Sequence, residues 1–294
     1  MSISASRNPL TRTPLAHQQT ETFRKLADIA RQEAGLSIEP QKFAMLQTRL
    51  TTRLRRLGLS SFEDYLALVS DATDATERGE FISVLTTNVS SFFREPHHFS
   101  ALAKDIGPAL VAKQERGDRV RIWSAGCSNG QEPLSIAMTL IDHGVVRPNG
   151  DVKILATDID PNVIRFAASG TYPDRMISGL PPQNRDRFFD QVTGEDGVSW
   201  RASKSVRDLI SYRELNLLSP WPMTGKFDVI FCRNVVIYFD QDTQDQLWER
   251  FTKILTDDGH LILGHSERLS EPAVLAFHTS GTTTYRHVAS ATPE

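Results

Sequence analysis

The stretch Trp123-Ser124-Ala125-Gly126-Cys127-Ser128-Asn129-Gly130-Gln131-Glu132-Pro133 decides the fold. It continues the apolar run Val120–Ser124, places two glycines in a short polar turn, and ends on a proline suited to the first turn of a helix. Strand, glycine turn and helix in that order open a doubly wound α/β sheet. In such sheets the first strand and its turn take a nucleotide-like ligand at the carboxyl ends of the strands. A glycine pair alone fits an ordinary tight turn equally well, so the neighbouring residues decide what binds.

The rhythm continues downstream. Lys153–Thr157, Ile210–Arg213, Asp228–Phe231 and His260–Leu263 read as further strands, with helical stretches after Gln131, after Pro161 and from Thr243 to Leu255. The expected architecture is a mostly parallel sheet with helices on both faces. Between Tyr172 and Arg207 the rhythm breaks, with Pro181, Pro182, Gly194, Gly197 and the short alternating piece Val198–Ala202. That region reads as a small β subdomain inserted in the α/β domain.

Ahead of the α/β region the pattern is helical. Phe23, Leu26, Ile29 and Ala30 share one face, and Phe43, Leu46, Leu50, Leu54 and Leu57 form a second stripe that Gly58 ends. Ser60 followed by Glu63 has capping-box spacing and opens a third helix with Phe62, Leu66 and Val69 on its apolar face. The expected division is a disordered tail over 1–17, a helical domain over 18–85, a link and the start of the catalytic domain over 86–100, and the main α/β domain over 101–290.

Composition narrows the class. The 294 residues carry 33 Lys and Arg against 36 Asp and Glu, a net charge of −3, so no global field selects a nucleic acid. With only Cys127 and Cys232 there is neither a disulfide framework nor the paired spacing of a structural zinc site, and no metal is expected. His97 and His98 are adjacent on a helix and are expected to face different ways. No apolar run approaches the roughly 20 residues of a membrane span. A cytoplasmic monomer without membrane insertion is expected.

Two carboxylates select the ligand. Asp158 ends the second strand, where it can accept the hydroxyls of a ribose, because Asp160 before Pro161 already fills the helix N-cap and leaves Asp158 free. Glu132 stands at the helix N-terminus where a dinucleotide would put its pyrophosphate, and like charges a few ångströms apart cost roughly 1 to 4 kcal/mol. The site therefore favours a ribose-bearing ligand without phosphates. S-adenosylmethionine fits, with an ammonium that Glu132 can hold.

At this point the chain resembles the bacterial chemotaxis receptor methyltransferases, the CheR family. The resemblance lies in TTNVSSFFREPHHF, WSAGCSNGQEP, ATDID, the Asn216-Leu217 dipeptide of NLL, FDVIFCRNVVIYFD and GHSE, spread from Thr86 to Glu267. It implies methyl transfer from S-adenosylmethionine to glutamate side chains on chemotaxis receptors, with S-adenosylhomocysteine as product. By matching position it implies Asn88, Ser90 and Arg94 along the cofactor pocket, Ser90 replacing a threonine common there. Glu132 would meet the methionine moiety, Asp158 the ribose, Asn216 and Leu217 the adenine, and Arg233 with Asn234 the far wall. Gly126 belongs to the same cofactor turn. Tyr238 would lie near the transferred methyl, and Arg94 and Tyr238 would orient cofactor and carboxylate.

Phe92 and Phe93 are expected to pack the domain junction rather than stack on adenine, and neither cysteine is expected to act covalently. On the second helix, Lys42, Arg49, Arg53 and Arg56 fall within about 60° of one another, beside the leucine stripe. No acidic residue interrupts Gln41–Leu57, so these cations lack partners on their own helix. Because the family's helical domain is thought to meet glutamate-rich receptor helices, Arg49, Arg53 and Arg56 are the expected docking face. The β subdomain is a second candidate, for a receptor C-terminal peptide. Three alternatives share part of this pattern: a methyltransferase of the same fold acting on RNA or a small molecule, a non-catalytic S-adenosylmethionine-binding regulator, and a dinucleotide-dependent oxidoreductase. The lack of an Asn-Pro-Pro-aromatic motif weighs against amino-group methylation, and Glu132 against the oxidoreductase.

Overall fold

Residues 14–71, 75–86, 88–194, 197–270, 273 and 276–288 are described by the computed structural model, with side chains from residue 19 onward. The chain divides into two units after Leu85. Of the expected tail, residues 1–13 lie outside the described residues, whereas Pro14 already opens the first helix.

The first unit contains α1 (Pro14–Ala34), α2 (Phe43–Leu57), α3 (Phe62–Ser70) and α4 (Ala75–Leu85). Its core is built from Phe23, Leu26, Leu46, Leu50, Leu54, Tyr65, Val69 and Phe81. Burying each large side chain contributes about 1.5 to 3 kcal/mol. Gly58 ends α2 in the left-handed region, at φ 70°. The third helix starts one residue later than expected: Ser61, not Ser60, is the N-cap, with its Oγ accepting the Asp64 N–H at 3.1 Å. Glu63 instead accepts the Thr22 hydroxyl at 2.9 Å. Leu57 is 38% exposed and leaves the stripe it was expected to complete.

The second unit opens with α5 (Pro96–Ala101), a π-helical turn (Leu102–Ile106) and α6 (Gly107–Glu115). Then come β1 (Val120–Ala125), α7 (Gln131–Asp142), β2 (Val152–Asp158) and α8 (Pro161–Ser169). The insertion holds β3 (Thr171–Pro173), α9 (Asp174–Ile177), α10 (Pro182–Phe188), β4 (Phe189–Gly194), β5 (Gly197–Ala202) and α11 (Lys204–Arg207). The domain closes with β6 (Ile210–Glu214), β7 (Phe227–Cys232), α12 (Gln241–Ile254), β8 (Leu255–Leu263), β9 (Phe277–Gly281) and β10 (Thr284–His287).

The main sheet has seven strands in the order β6-β2-β1-β7-β8-β10-β9, and β3-β5-β4 form a separate three-stranded antiparallel sheet. The first five strands of the main sheet are parallel, while β10 runs antiparallel to both its neighbours. Strand periodicity sorts the core. Val120 and Ile122 of β1 and Val229 and Phe231 of β7 face the layer of Leu102, Leu110 and Leu134. Trp123, Ala125, Ile230 and Cys232 face the opposite layer, with Trp248 and Phe251 of α12. The strand order reverses between β1 and β7, so their carboxyl ends open the crevice in which such sheets bind ligands.

Candidate active site and cofactor pocket

The turn leaving β1 uses its own donors. Gly126 and Cys127 N–H both donate to the Thr157 carbonyl at 2.8 Å, Ser128 N–H to Asp158 Oδ2 at 2.8 Å, and Gly130 N–H to the Cys127 carbonyl at 3.0 Å. These four N–H groups are therefore turned onto the protein's own acceptors. Gly126 and Gly130 both have φ of 84°. A Cβ on Gly126 would stand 2.3 Å from Val235 Cγ2, and one on Gly130 would stand 2.8 Å from Ala167 Cβ. At both positions the space a side chain would need is already filled by the protein's own atoms.

Asp160 caps α8, its Oδ1 accepting the Asn162 N–H at 2.8 Å. Asp158 is not free as expected, because its oxygens accept the Ser128 N–H and, at 3.1 Å, the Asp160 N–H. One bond per oxygen leaves each with capacity for a hydroxyl. Burial pushes the Asp158 carboxyl up, and the backbone N–H groups of Asp160, Ser128 and Ile159 oppose that push. Beside it, the Leu215 N–H donates to the Asp158 carbonyl at 2.9 Å and brings the turn after β6 to the same strand end. In that turn Asn216 Oδ1 accepts the Leu218 N–H at 2.9 Å, and Leu217 is buried on the α12 side of the sheet.

Glu132 lies in the first turn of α7 and Arg233 at the end of β7. Ser124 Oγ donates to Glu132 Oε1 at 2.6 Å, and Arg233 Nη1 donates to Glu132 Oε2 at 2.9 Å. Burial pushes the Glu132 carboxyl up, while the Arg233 charge and the Ser124 hydroxyl oppose it. Arg233 Nη2 donates to the Arg94 carbonyl and lies 3.2 Å from Glu95 Oε2. Glu95 is a site residue that sequence reasoning missed, although it sits inside the quoted segment. Burial alone would raise its carboxyl, but the His265 hydrogen bond and the Arg233 charge outweigh burial and hold it at about 2. Two carboxylates around one guanidinium leave one surplus negative charge, which suits a cationic ligand. Phe93, Glu95, Ser128 and Asn234, all non-glycine, adopt positive φ along these same segments. Such backbone strain concentrates at functional sites.

The expectation that His97 and His98 face different ways fails. Their ring centroids are 4.0 Å apart, and ligand atoms of Glu95, His97 and His98 lie within 4.8 Å of one another. Burial, with the Arg233 charge next, pushes His98 down to about 3. Arg233 already supplies the positive charge against Glu95 and repels a metal ion there.

The link before α5 is tied to the cofactor turn. Asn88 Nδ2 donates to Asp160 Oδ2 at 2.9 Å, and the Asn88 carbonyl accepts Ser128 Oγ at 3.1 Å and Asn129 Nδ2 at 2.9 Å. Ser90 is half-buried on this link. Arg94 turns its side chain back, with Nη1 donating to the Val89 carbonyl at 3.0 Å. Phe92 packs edge-on against Tyr172 and Phe189, and Phe93 against Phe99, all within the second unit. Asn234 has φ of 59°, its N–H donates to Glu267 Oε2, and Tyr238 ends the 3-10 turn Val236–Tyr238 that follows. Cys127 and Cys232 are buried free thiols, and burial pushes both well up, away from the thiolate.

Residues 21–86 match the family model of the CheR methyltransferase all-alpha domain, and residues 88–286 match that of the CheR methyltransferase SAM binding domain. The chain belongs to the CheR methyltransferase family. It is 45% identical over 255 residues to the probable chemotaxis protein methyltransferase of Rhizobium etli, covering 87% of this chain and 95% of that one. It is 40% identical over 270 residues to the chemotaxis protein methyltransferase of Escherichia coli, covering 89% and 92%. To chemotaxis protein methyltransferase 2 of Pseudomonas aeruginosa it is 39% identical over 254 residues, covering 85% and 88%. This CheR protein is an S-adenosylmethionine-dependent methyltransferase. Among the described residues, no helix is long and apolar enough to cross a membrane.

The basic face expected on the CheR all-alpha domain is partly spent internally. Arg53 Nε donates to Glu77 Oε1 at 3.0 Å and its Nη1 to Glu80 Oε2 at 3.0 Å, and its side chain is 12% exposed. The partners that its own helix lacks come from α4. Arg49 is half-buried and donates to the Leu85 carbonyl. Of the three expected docking arginines, Arg56 is the exposed one, with exposed Met45 and Leu57 on the same helix and exposed Lys42 just before it.

Proposed function

We propose that this CheR enzyme methylates the side-chain carboxylates of glutamates on chemotaxis receptors, forming glutamate methyl ester and S-adenosylhomocysteine in chemotactic adaptation. The observation that carries the cofactor side is the charge pattern of the crevice: Glu132 and Glu95 flank one buried cation, Arg233, while Asp158 ends the neighbouring strand β2 and holds the Ser128 N–H of the turn after β1. That pattern fits a cationic ribose-bearing ligand and disfavours a phosphate. Glu132 would hold its ammonium, Asp158 its ribose, Asn216 and Leu217 its adenine, and Gly126, Asn88, Ser90, Arg233 and Asn234 would complete the wall.

When bound, S-adenosylmethionine supplies a methyl group on a sulfonium, whose sulfur takes the electron pair of the broken bond. A glutamate of pKa about 4.3 is ionised by roughly 500 to 1 at pH 7, so the acceptor oxygen needs no base. The chain's task is alignment and exclusion of water. Arg94 would orient the cofactor side and Tyr238 the substrate carboxylate. An arginine paired tightly with the acceptor carboxylate would weaken it as a nucleophile, which favours this division.

For receptor recognition, exposed Arg56 of α2, with Lys42 just before that helix, forms the docking face for glutamate-rich receptor helices. The β3-β5-β4 subdomain, where Val192 and Val198 are exposed and Arg185 stacks on Trp200 at 4.6 Å, offers a second contact for a receptor C-terminal peptide. The enzyme acts in the cytoplasm as a monomer. Transfer of labelled methyl from the cofactor to receptor-containing membranes tests the whole reading.

A further inference from the structure

The four-residue segment Gly264–Glu267 directly follows β8, and Glu267 at its end is 3% exposed. Its Oε1 accepts the Val235 N–H at 2.8 Å and the Val236 N–H at 2.9 Å. Its Oε2 accepts the Asn234 N–H at 2.8 Å and the Gly264 N–H at 2.7 Å. Two bonds on each oxygen exhaust what a carboxylate accepts, so this group has nothing left for a ligand. Three successive backbone N–H groups converging on one anion fix the path of the chain that carries them.

That chain is the loop after β7. Immediately before it stands Arg233, the partner of Glu132 and Glu95. Within it, Asn234 holds a left-handed backbone at φ 59°. The Val235 side chain fills the space against Gly126 of the cofactor turn, and the loop ends on Tyr238. Gly264 is itself confined: a Cβ there would stand 2.5 Å from Asn234 Nδ2 and 2.8 Å from Glu267 Oε2.

We propose that Glu267 is a positioning residue for methyl transfer, holding the Arg233–Tyr238 loop in its working shape through the backbone without touching either reactant. The inference rests on the reading of Arg233 and Tyr238 as site residues.

Glu267→Gln separates charge from shape. Its amide oxygen can accept two of the four N–H groups, but its NH2 then confronts the other two donor to donor. Two readouts decide. Amide hydrogen exchange at Asn234, Val235 and Val236 is expected to accelerate about 100-fold in the variant while β1 and β7 stay protected. Turnover per folded molecule is expected to fall about 100-fold, with KM for receptor within about 3-fold of wild type and Kd for S-adenosylhomocysteine raised by less than about 10-fold, a smaller effect that reflects Asn234 in the cofactor wall. Should Glu267→Gln not fold, Gly264→Ala crowds the same contact without changing charge and is expected to give the same split. Unchanged exchange overturns the proposal, as does accelerated exchange with wild-type turnover or an equal loss in kcat and cofactor affinity. If the wild-type enzyme transferred no methyl to receptor, the functional reading would fail by itself, and exchange would still decide whether Glu267 shapes the loop.

Discussion

Arg233 Nη1 and Glu132 Oε2 meet at 2.9 Å across 101 positions of sequence, with the arginine side chain 2% exposed. A buried pair of this kind contributes little net stability when intact, yet removing one partner costs about 3 to 5 kcal/mol because the other charge is left stranded. What makes the pair informative is its third member. Glu95 adds a second carboxylate against the same guanidinium, so the crevice carries negative charge into which a cation can settle.

Asp158→Ala is expected to weaken S-adenosylmethionine and S-adenosylhomocysteine together by about 100-fold or more, the loss of two hydrogen bonds to a charged acceptor. Because Asp158 also holds the Ser128 and Asp160 N–H groups, Asp158→Asn serves as the comparison that disturbs the turn less. Calorimetry reads both. Full affinity in a folded Asp158→Ala protein, or tighter binding of NAD than of S-adenosylmethionine, would remove the ribose assignment.

Tyr238→Phe is expected to lower turnover more than cofactor affinity, the pattern of a group that acts at the transition state. Steady-state kinetics with calorimetry on the same preparation separates the two quantities. Equal losses in both would reduce Tyr238 to a pocket wall.

The basic helix now divides into two predictions. Arg53→Ala removes the guanidinium from Glu77, which is 5% exposed and also accepts the Tyr65 hydroxyl at 2.9 Å, and is expected to destabilise the helical unit by about 3 kcal/mol. Arg56→Ala is expected to leave the melting temperature unchanged, raise the apparent KM for receptor and flatten its salt dependence. Melting curves and kinetics at two ionic strengths check both. A KM and salt sensitivity matching wild type in Arg56→Ala would shift docking to the β subdomain.

Acid should unfold the second unit through two groups of the charge cluster. Glu95 sits at about 2 against an ordinary 4.5, so its contribution is present above pH 4.5 and is lost as pH falls toward 2. His98 sits at about 3 against 6.5, so below pH 6.5 the unfolded chain gains a proton that the fold refuses, again lowering stability with falling pH. In urea titrations His98→Gln is expected to flatten the slope between pH 6.5 and 4.5, and Glu95→Gln the slope below 4.5. Slopes identical to wild type would show that neither group carries the linkage.

The sheet was legible because its central strands are apolar runs closed by turn residues, as in Val120–Ala125 and Phe227–Cys232. The edge strand Phe277–Gly281 has a single buried residue and no such signature, so the antiparallel end of the sheet was invisible. Asp158 and Glu132 could be chosen because their places after a strand and before a helix follow from chain order. Glu95 and Glu267 could not. Glu267 bonds only to backbone N–H groups, which leave no mark in a sequence, and Glu95 meets Arg233 only after the chain folds. Arg53 misled for the same reason: Glu77 lies 24 positions away on another helix.

Ester formation on receptor glutamates is read out by incubating the protein with methyl-labelled S-adenosylmethionine and a membrane fraction containing chemoreceptors. Label is expected on receptor glutamates, released by mild base as methanol, with sharply less transfer by the Tyr238→Phe variant. Base-stable label, label on RNA or a small molecule, or cofactor binding with no transfer at all would contradict ester formation.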